Sequence, residues 1–364
     1  MRTHAAHAVH VHCACHRLQL ASLQAAKTVP EIQKVFGMMG NIWKLFYYSP
    51  KKMQALKEVQ AVLGLPELKV VKPSDTRWLS HERCMRAIRK ELPALITTLQ
   101  QLYETTGDAE AFGLSTLLSC FTGVASICFL SYVLDTLAKM NVAMQRKVTD
   151  FSKLKIMLQF TRDELKSLKS DTADWCCITT SMLASLETEY GIDIGRHRAA
   201  SPRSKFAKIS SIEEYLSLIG IPYIDTLLGN IESRFSDSVV KLLVATSIFN
   251  PSQLPAEGFL SSYGLQEIKE LADFYGNAAS VEHCGETYTS PPLLDGEELV
   301  SEWKFFRRAL CKEKELFVRT NQTTPSIQEL LTSMQACDAY KGVVSLRHGT
   351  NIKIKTCDSV NTVL

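Results

Sequence analysis

The residues nearest the N-terminus are the ones whose types could do chemistry. His4, His7, His10, His12, Cys13, Cys15 and His16 are all groups able to bind a transition metal. Cys13-x-x-His16 has the spacing of a chelating turn, but a closed tetrahedral zinc site needs a second pair of ligands at a distance. Cys176-Cys177, or Cys120 with Cys128, do not supply that spacing. The simpler reading makes Cys13 a buried thiol and His16 a hydrogen-bonded imidazole that lock a joint, with no metal. A zinc-dependent interaction module stays open beside it. Arg77-Trp78 is a second pair with chemistry of its own. An indole stacks on an unpaired base, and a guanidinium binds phosphate or stacks beside it. The plainer alternative makes Trp78 a core anchor and Arg77 its exposed neighbour. The sequence holds no glycine-rich nucleotide loop, no Gly-x-Ser-x-Gly elbow and no His-Glu-x-x-His helix, and no spacing brings two carboxylates together.

These residues must be positioned by a largely helical chain. Val9, Val11 and Cys13 alternate with His10 and His12, the period of a strand, and from Arg17 a helix follows through Leu18, Leu20 and Leu23. Cys13, Cys15 and His16 therefore fall at a strand-to-helix joint. A second helix is expected from Pro30 to Tyr48, striped by Ile32, Val35, Phe36, Met39, Ile42, Trp43 and Phe46. Ser49 caps a third that Gly64 ends. Leu68–Val71 reads as a short strand leading to Arg77-Trp78. From His81 to about Leu168 the pattern is helical, broken at Pro93 and Gly107-Asp108. Further helices are expected over Trp175–Tyr190, from Ile212, and over Tyr223–Phe235, Leu265–Tyr275 and Asp295–Leu316. Residues 191–211 carry Arg196, Arg198, Arg203, Lys205 and Lys208 without an apolar period, the pattern of a mobile basic loop.

Composition sets outer bounds. The 364 residues suffice for about two domains, and 46% hydrophobic residues is too many for general disorder. The net charge of +3 conceals an asymmetry: residues 1–80 hold 11 Lys and Arg against 4 Asp and Glu, a local +7 that leaves −4 for the remainder. Such a basic part is compatible with a nucleic-acid-facing surface. The 11 cysteines are odd in number and lack framework spacing, and the N-terminus has no apolar signal core, so the thiols read as reduced. Leu114–Leu134 is free of charge and long enough to span a membrane. Its five serines and threonines among the first thirteen residues, with a glycine, favour instead a helix buried in a bundle. Leu99, Leu102, Leu154, Leu158 and Leu165 are the expected cover, and no membrane partner is expected.

The two chemical motifs together carry a resemblance. Cys13-x-x-His16 followed by Arg17-Leu18-x-Leu20, and then Asp75-Thr76-Arg77-Trp78-Leu79-Ser80, resemble in type and order two motifs of hAT-superfamily transposases. The closest form is the vertebrate transposon-derived group of the zinc finger protein 862 type, over His10 to about Tyr340. The resemblance implies a mostly α fold: a remnant of an RNase H-like α/β core in residues 1–80, a large helical insertion domain in 81–340 and an irregular tail in 341–364. Family catalysis uses two aspartates and a glutamate to hold divalent metals for strand cleavage and transfer. The aspartates belong upstream of Cys-x-x-His, where Met1–Val9 contain no acid. The glutamate belongs to a Glu-Arg-Ser-Phe-like segment, which Thr356–Leu364 does not resemble.

The resemblance therefore implies a product truncated at both ends, without catalysis or cofactor, that retains a nucleic-acid-binding or protein-interaction role. Arg77 and Trp78 are its implied nucleic-acid-binding residues, and Cys13 and His16 its structural motif. The implied partners are DNA, bound weakly and non-specifically, and other transposon-derived or nuclear proteins. The implied location is the nucleus, with the cytoplasm as alternative. A transposase fragment made active by partner chains that supply the missing acids is a further reading.

Overall fold

The computed structural model describes residues 14–67, 71–73, 79–144, 153–195, 209–283 and 285–321, with positions 325 and 329. The expected strands at Val9–Cys13 and Leu68–Val71, most of the basic segment 191–211 and the tail 341–364 lie wholly or largely outside these. The described chain is mostly helical, and its residues group into two compact units. One comprises Ala14–Met144 with Leu158–Arg234, and the other is formed chiefly by Phe235 onward.

The first unit opens with α1 (Ala14–Thr28), α2 (Pro30–Tyr47) and α3 (Pro50–Val62). Their limits follow local chemistry. Pro30 and Pro50 occupy first-turn positions, where the missing N–H costs nothing. The Ser49 hydroxyl accepts from the Lys52 amide, and Gly64 turns the chain out at φ 66°. Then come α4 (Leu79–Lys90), α5 (Leu92–Thr106), α6 (Ala109–Leu118) and α7 (Phe121–Met144). Asp108 caps α6, its carboxylate accepting from the Glu110 and Ala111 amides at 3.0 Å and from Lys52 Nζ at 2.5 Å. Those bonds, led by the one from Lys52, hold its carboxyl below the usual range.

The charge-free run Leu114–Leu134 is not one helix. It is the end of α6, a break at Ser119-Cys120 and the first half of α7. Side-chain bonds line the break: Ser119 Oγ donates to the Ser115 carbonyl, Cys120 Sγ to the Leu117 carbonyl, and the Gly123 amide donates to Cys120 Sγ. Among the described residues α7 alone is long and apolar enough to cross a bilayer, yet 72% of its most apolar window is buried within the fold. Its chief cover is α4 and α9 (Asp174–Thr188), with α1, α2, α6 and α10 (Ile212–Tyr215) closing other sides. The expected cover, the leucines of α5 and of α8 (Leu154–Ser167), is not the main one; α4 and α9 take that place.

A π-helical turn, Leu216–Gly220, joins α10 to α11 (Ile221–Arg234). It sits just ahead of Pro222, whose ring would otherwise meet the carbonyl four residues back, and a widened turn relieves that clash. At the centre, Phe129 meets Trp175 edge-on at 5.2 Å and Tyr215 at 5.7 Å. Helix α1 is fastened to α11 by polar contacts: Ser22 Oγ with Tyr223 Oη at 3.2 Å, Asn230 Nδ2 to the Ala21 carbonyl at 3.0 Å, and Arg17 to the Arg234 carbonyl at 2.6 Å. Residues before and after position 80 thus share one core. The described ends of the basic segment are anchored too, through buried Ile192 and Ile209.

The second unit contains α12 (Asp237–Ala245), α13 (Leu265–Tyr275) and α14 (Gly296–Asn321), with short 3₁₀ turns between α12 and α13. Leu299, Trp303, Phe306 and Leu310 share a buried face of α14, as their spacing predicts. Trp303 Nε1 and Arg307 Nη1 both donate to the Tyr263 carbonyl at 3.0 Å. Gly264 follows with φ +70°, and a Cβ there would lie 2.7 Å from the Trp303 ring. A hairpin that the periodicity does not predict joins β1 (Ala279–His283) and β2 (Glu286–Ser290), pairing Val281 with Tyr288.

Candidate nucleic-acid interface

Of the four residues singled out by motif, the structure describes only His16. Cys13, Arg77 and Trp78 lie outside the described residues. Helix α1 begins at Ala14 rather than Arg17, so His16 stands inside the first helical turn, and its side chain is exposed.

The residues that bracket Arg77-Trp78 are well placed. After the pair, α4 starts at once, and its buried His81 lies 5.7 Å, ring to ring, from Phe36 of α2. Cys84, Met85 and Ile88 then bury one face of α4, and Arg86 pairs with Glu82 at 2.8 Å. Before the pair, Lys72 places its ammonium 5.0 Å from the centroid of the Trp43 ring, also on α2. Phe36 and Trp43 are seven residues apart, on one face and about 10 Å along the helix. Both described flanks of the motif are therefore held by the same face of the same helix.

At the C-terminal end of that face the aromatic residues continue. Tyr47 stacks on Trp43 at 4.6 Å with 28° between the ring planes. Tyr48 meets Trp43 at 5.8 Å and Tyr47 at 5.1 Å, edge to face in both cases. Trp43 is half-buried, whereas Tyr47 and Tyr48 are 63% and 72% exposed. Lys44, inside the cluster in sequence, and Lys51, three residues after it, are exposed. Two other lysines of α3 are engaged elsewhere, Lys52 with Asp108 and Lys57 with Glu67. The stripe reading assigns Trp43 to the core of α2 together with Ile42 and Phe46. The structure buries those two and leaves Trp43 at the margin, because the helical period fixes a face but not how far a neighbour covers it. The spacing Trp43-x-x-x-Tyr47-Tyr48, with Lys44 and Lys51, was the available signal.

Other chemistry is not assembled among the described residues. No three His, Cys, Asp or Glu side chains come together as a metal site. Burial pushes the Cys84 thiol up to about 12 and those of Cys128 and Cys176 up to about 11, away from nucleophilic thiolates. A shallow groove of about 340 Å³ is lined by Arg89, Lys90, Leu65, Pro93 and Tyr190 among others, with no carboxylate in its lining. The fully buried carboxyl of Glu91, to which Gln60 Nε2 donates at 2.7 Å, ties the α4–α5 joint to α3. Burial raises its pKa. No family model matches the chain, and no solved structure matches it.

Proposed function

We propose that this chain is a catalytically inactive, hAT-like, transposon-derived protein that retains weak, non-specific nucleic-acid binding. The observation that carries the reading is the ordered pair of motifs, Cys13-x-x-His16 and Thr76-Arg77-Trp78. In this reading residues 1–80 contribute a remnant of an RNase H-like core, and the helices after position 80 derive from the insertion domain. The mostly helical fold is consistent with that origin. Further support comes from the flanks of Arg77-Trp78, which α2 holds through Trp43 and Phe36 beside exposed aromatic and basic side chains. Arg77 would bind phosphate and Trp78 would stack on an unpaired base. Cys13 and His16 serve the structure of the motif. DNA is the proposed partner, with other transposon-derived or nuclear proteins as further ones, and the nucleus is the proposed location.

These 364 residues hold no match to the family's metal-binding acids, so the chain by itself is proposed not to cut or join DNA. Purified protein with Mg²⁺ or Mn²⁺ should leave supercoiled plasmid intact. Nicking that an Asp or Glu substitution within the chain abolishes would refute this. Binding is tested at the motif. Arg77→Ala should weaken duplex and single strand alike and flatten the salt dependence. Trp78→Ala should weaken single strands more than duplex, by about 1–3 kcal/mol. A folded double variant that binds both forms as the parent does would remove the motif from the interface.

A further inference from the structure

We infer that the exposed corner formed by Trp43, Tyr47 and Tyr48, with Lys72, Lys44 and Lys51 around it, is a stacking platform for single-stranded nucleic acid, distinct from Arg77-Trp78. The inference rests on the proposed nucleic-acid function and assigns it a second set of residues.

Three aromatic rings within 6 Å of one another at the end of a helix would ordinarily be covered by another element. Here the two outer rings face solvent. Trp43 is the pedestal. Tyr47 stacks on it and Lys72 lies over its ring, which fixes both the tyrosine and the cation. The exposed rings of Tyr47 and Tyr48 stand nearly perpendicular to each other, with 86° between their planes, so two successive bases would stack on them in different orientations. A duplex holds its bases parallel and internal, and it cannot offer them to such a pair. A single strand can, because its bases rotate independently.

The charge around the rings suits the same occupant. Lys44 lies three and four residues before the two tyrosines, on their side of α2, and Lys51 follows Pro50 in the first turn of the next helix. Lys72 sets its ammonium 5.0 Å from the centroid of the Trp43 ring, beside the course a strand's phosphates would take, and the exposed Lys44 and Lys51 add positive charge nearby in sequence. An aliphatic protein surface would find phenol hydroxyls and lysines here rather than apolar area. A strand finds ring faces and cations together.

The test uses the full chain and a short fluorescent oligothymidine, with an abasic strand of equal length as the control that keeps the phosphates but not the bases. The parent should prefer oligothymidine to the abasic strand. Tyr47→Ala/Tyr48→Ala should erase that preference and lower oligothymidine affinity about tenfold or more, whereas Tyr47→Phe/Tyr48→Phe should bind as the parent does. Lys72→Ala should lower the salt slope for the single strand by about 0.7. Both tyrosines are exposed, so circular dichroism should show each variant folded. If the folded alanine pair keeps the parent's affinity and preference while Arg77→Ala/Trp78→Ala loses binding, the platform is refuted and the function stands. If the parent binds neither strand nor duplex, the function fails and the platform with it.

Discussion

Glu91 is the residue whose behaviour follows most directly from its surroundings. A carboxyl buried in the α4–α5 joint, with one hydrogen bond from Gln60 and burial raising its pKa, is easier to fold when protonated. Its contribution to stability is therefore complete below the ordinary glutamate value, about 4.3, and declines as the pH rises through the higher folded-state value. Glu91→Gln keeps the acceptor for Gln60 and removes the charge. It should raise the melting temperature above the parent's at pH 8, by about 2–4 °C for each kcal/mol regained. The gain should shrink toward zero as the pH approaches 4. A variant that melts below the parent at pH 8 would mean that the charged carboxylate is itself a stabilising partner in this joint. Nothing in the sequence marks Glu91 as buried, since it sits between Lys90 and Leu92 in a helical run. The break at Gly107-Asp108 was legible because turn and cap chemistry acts on neighbouring residues, whereas Glu91 acquires its environment from α3, some thirty residues away.

At the scale of elements, what is punctuated locally was readable, and what distant contacts decide was not. Pro30, Ser49-Pro50, Gly64 and Gly107-Asp108 mark helix limits that the structure keeps within a residue or two. The break at Ser119-Cys120 carries no such mark, because it falls inside an apolar run without proline, and its hydroxyl and thiol groups bond back to their own helix as they also do in unbroken ones. The π-helical turn had its one sequence mark in Pro222, whose ring strains the helix upstream of it. The 279–290 hairpin had a usable signal in Thr287, Tyr288 and Thr289 after Gly285, which has φ 82°. The α6–α7 break yields a sharp expectation. A Cβ on Gly123 would fall on the Leu117 backbone carbonyl, well inside any contact distance, and backbone cannot give way as a side chain can. Gly123→Ala should therefore cost at least about 1–3 kcal/mol in urea unfolding. A parent-like midpoint would show that the two helices part without loss.

At the scale of the whole molecule, the mostly α class and the burial of the long apolar helix were legible, because period and composition carry both. The basic character of the N-terminal part was legible as a number, but the exposure of the rings beside Lys72 was not. That depends on α2 ending at a corner no other described helix covers. The chemistry proposed for the molecule is phosphate contact supplemented by stacking, and its mark is salt dependence. The most direct measurement is therefore the affinity of the full chain for single-stranded and duplex oligonucleotides of unrelated sequence across a range of salt. The account predicts weak binding at low salt, indifferent to sequence, tighter for the single strand, and falling linearly in log–log form with a slope of several units. Absence of binding to either form at low salt would contradict it, as would an affinity that does not change with salt.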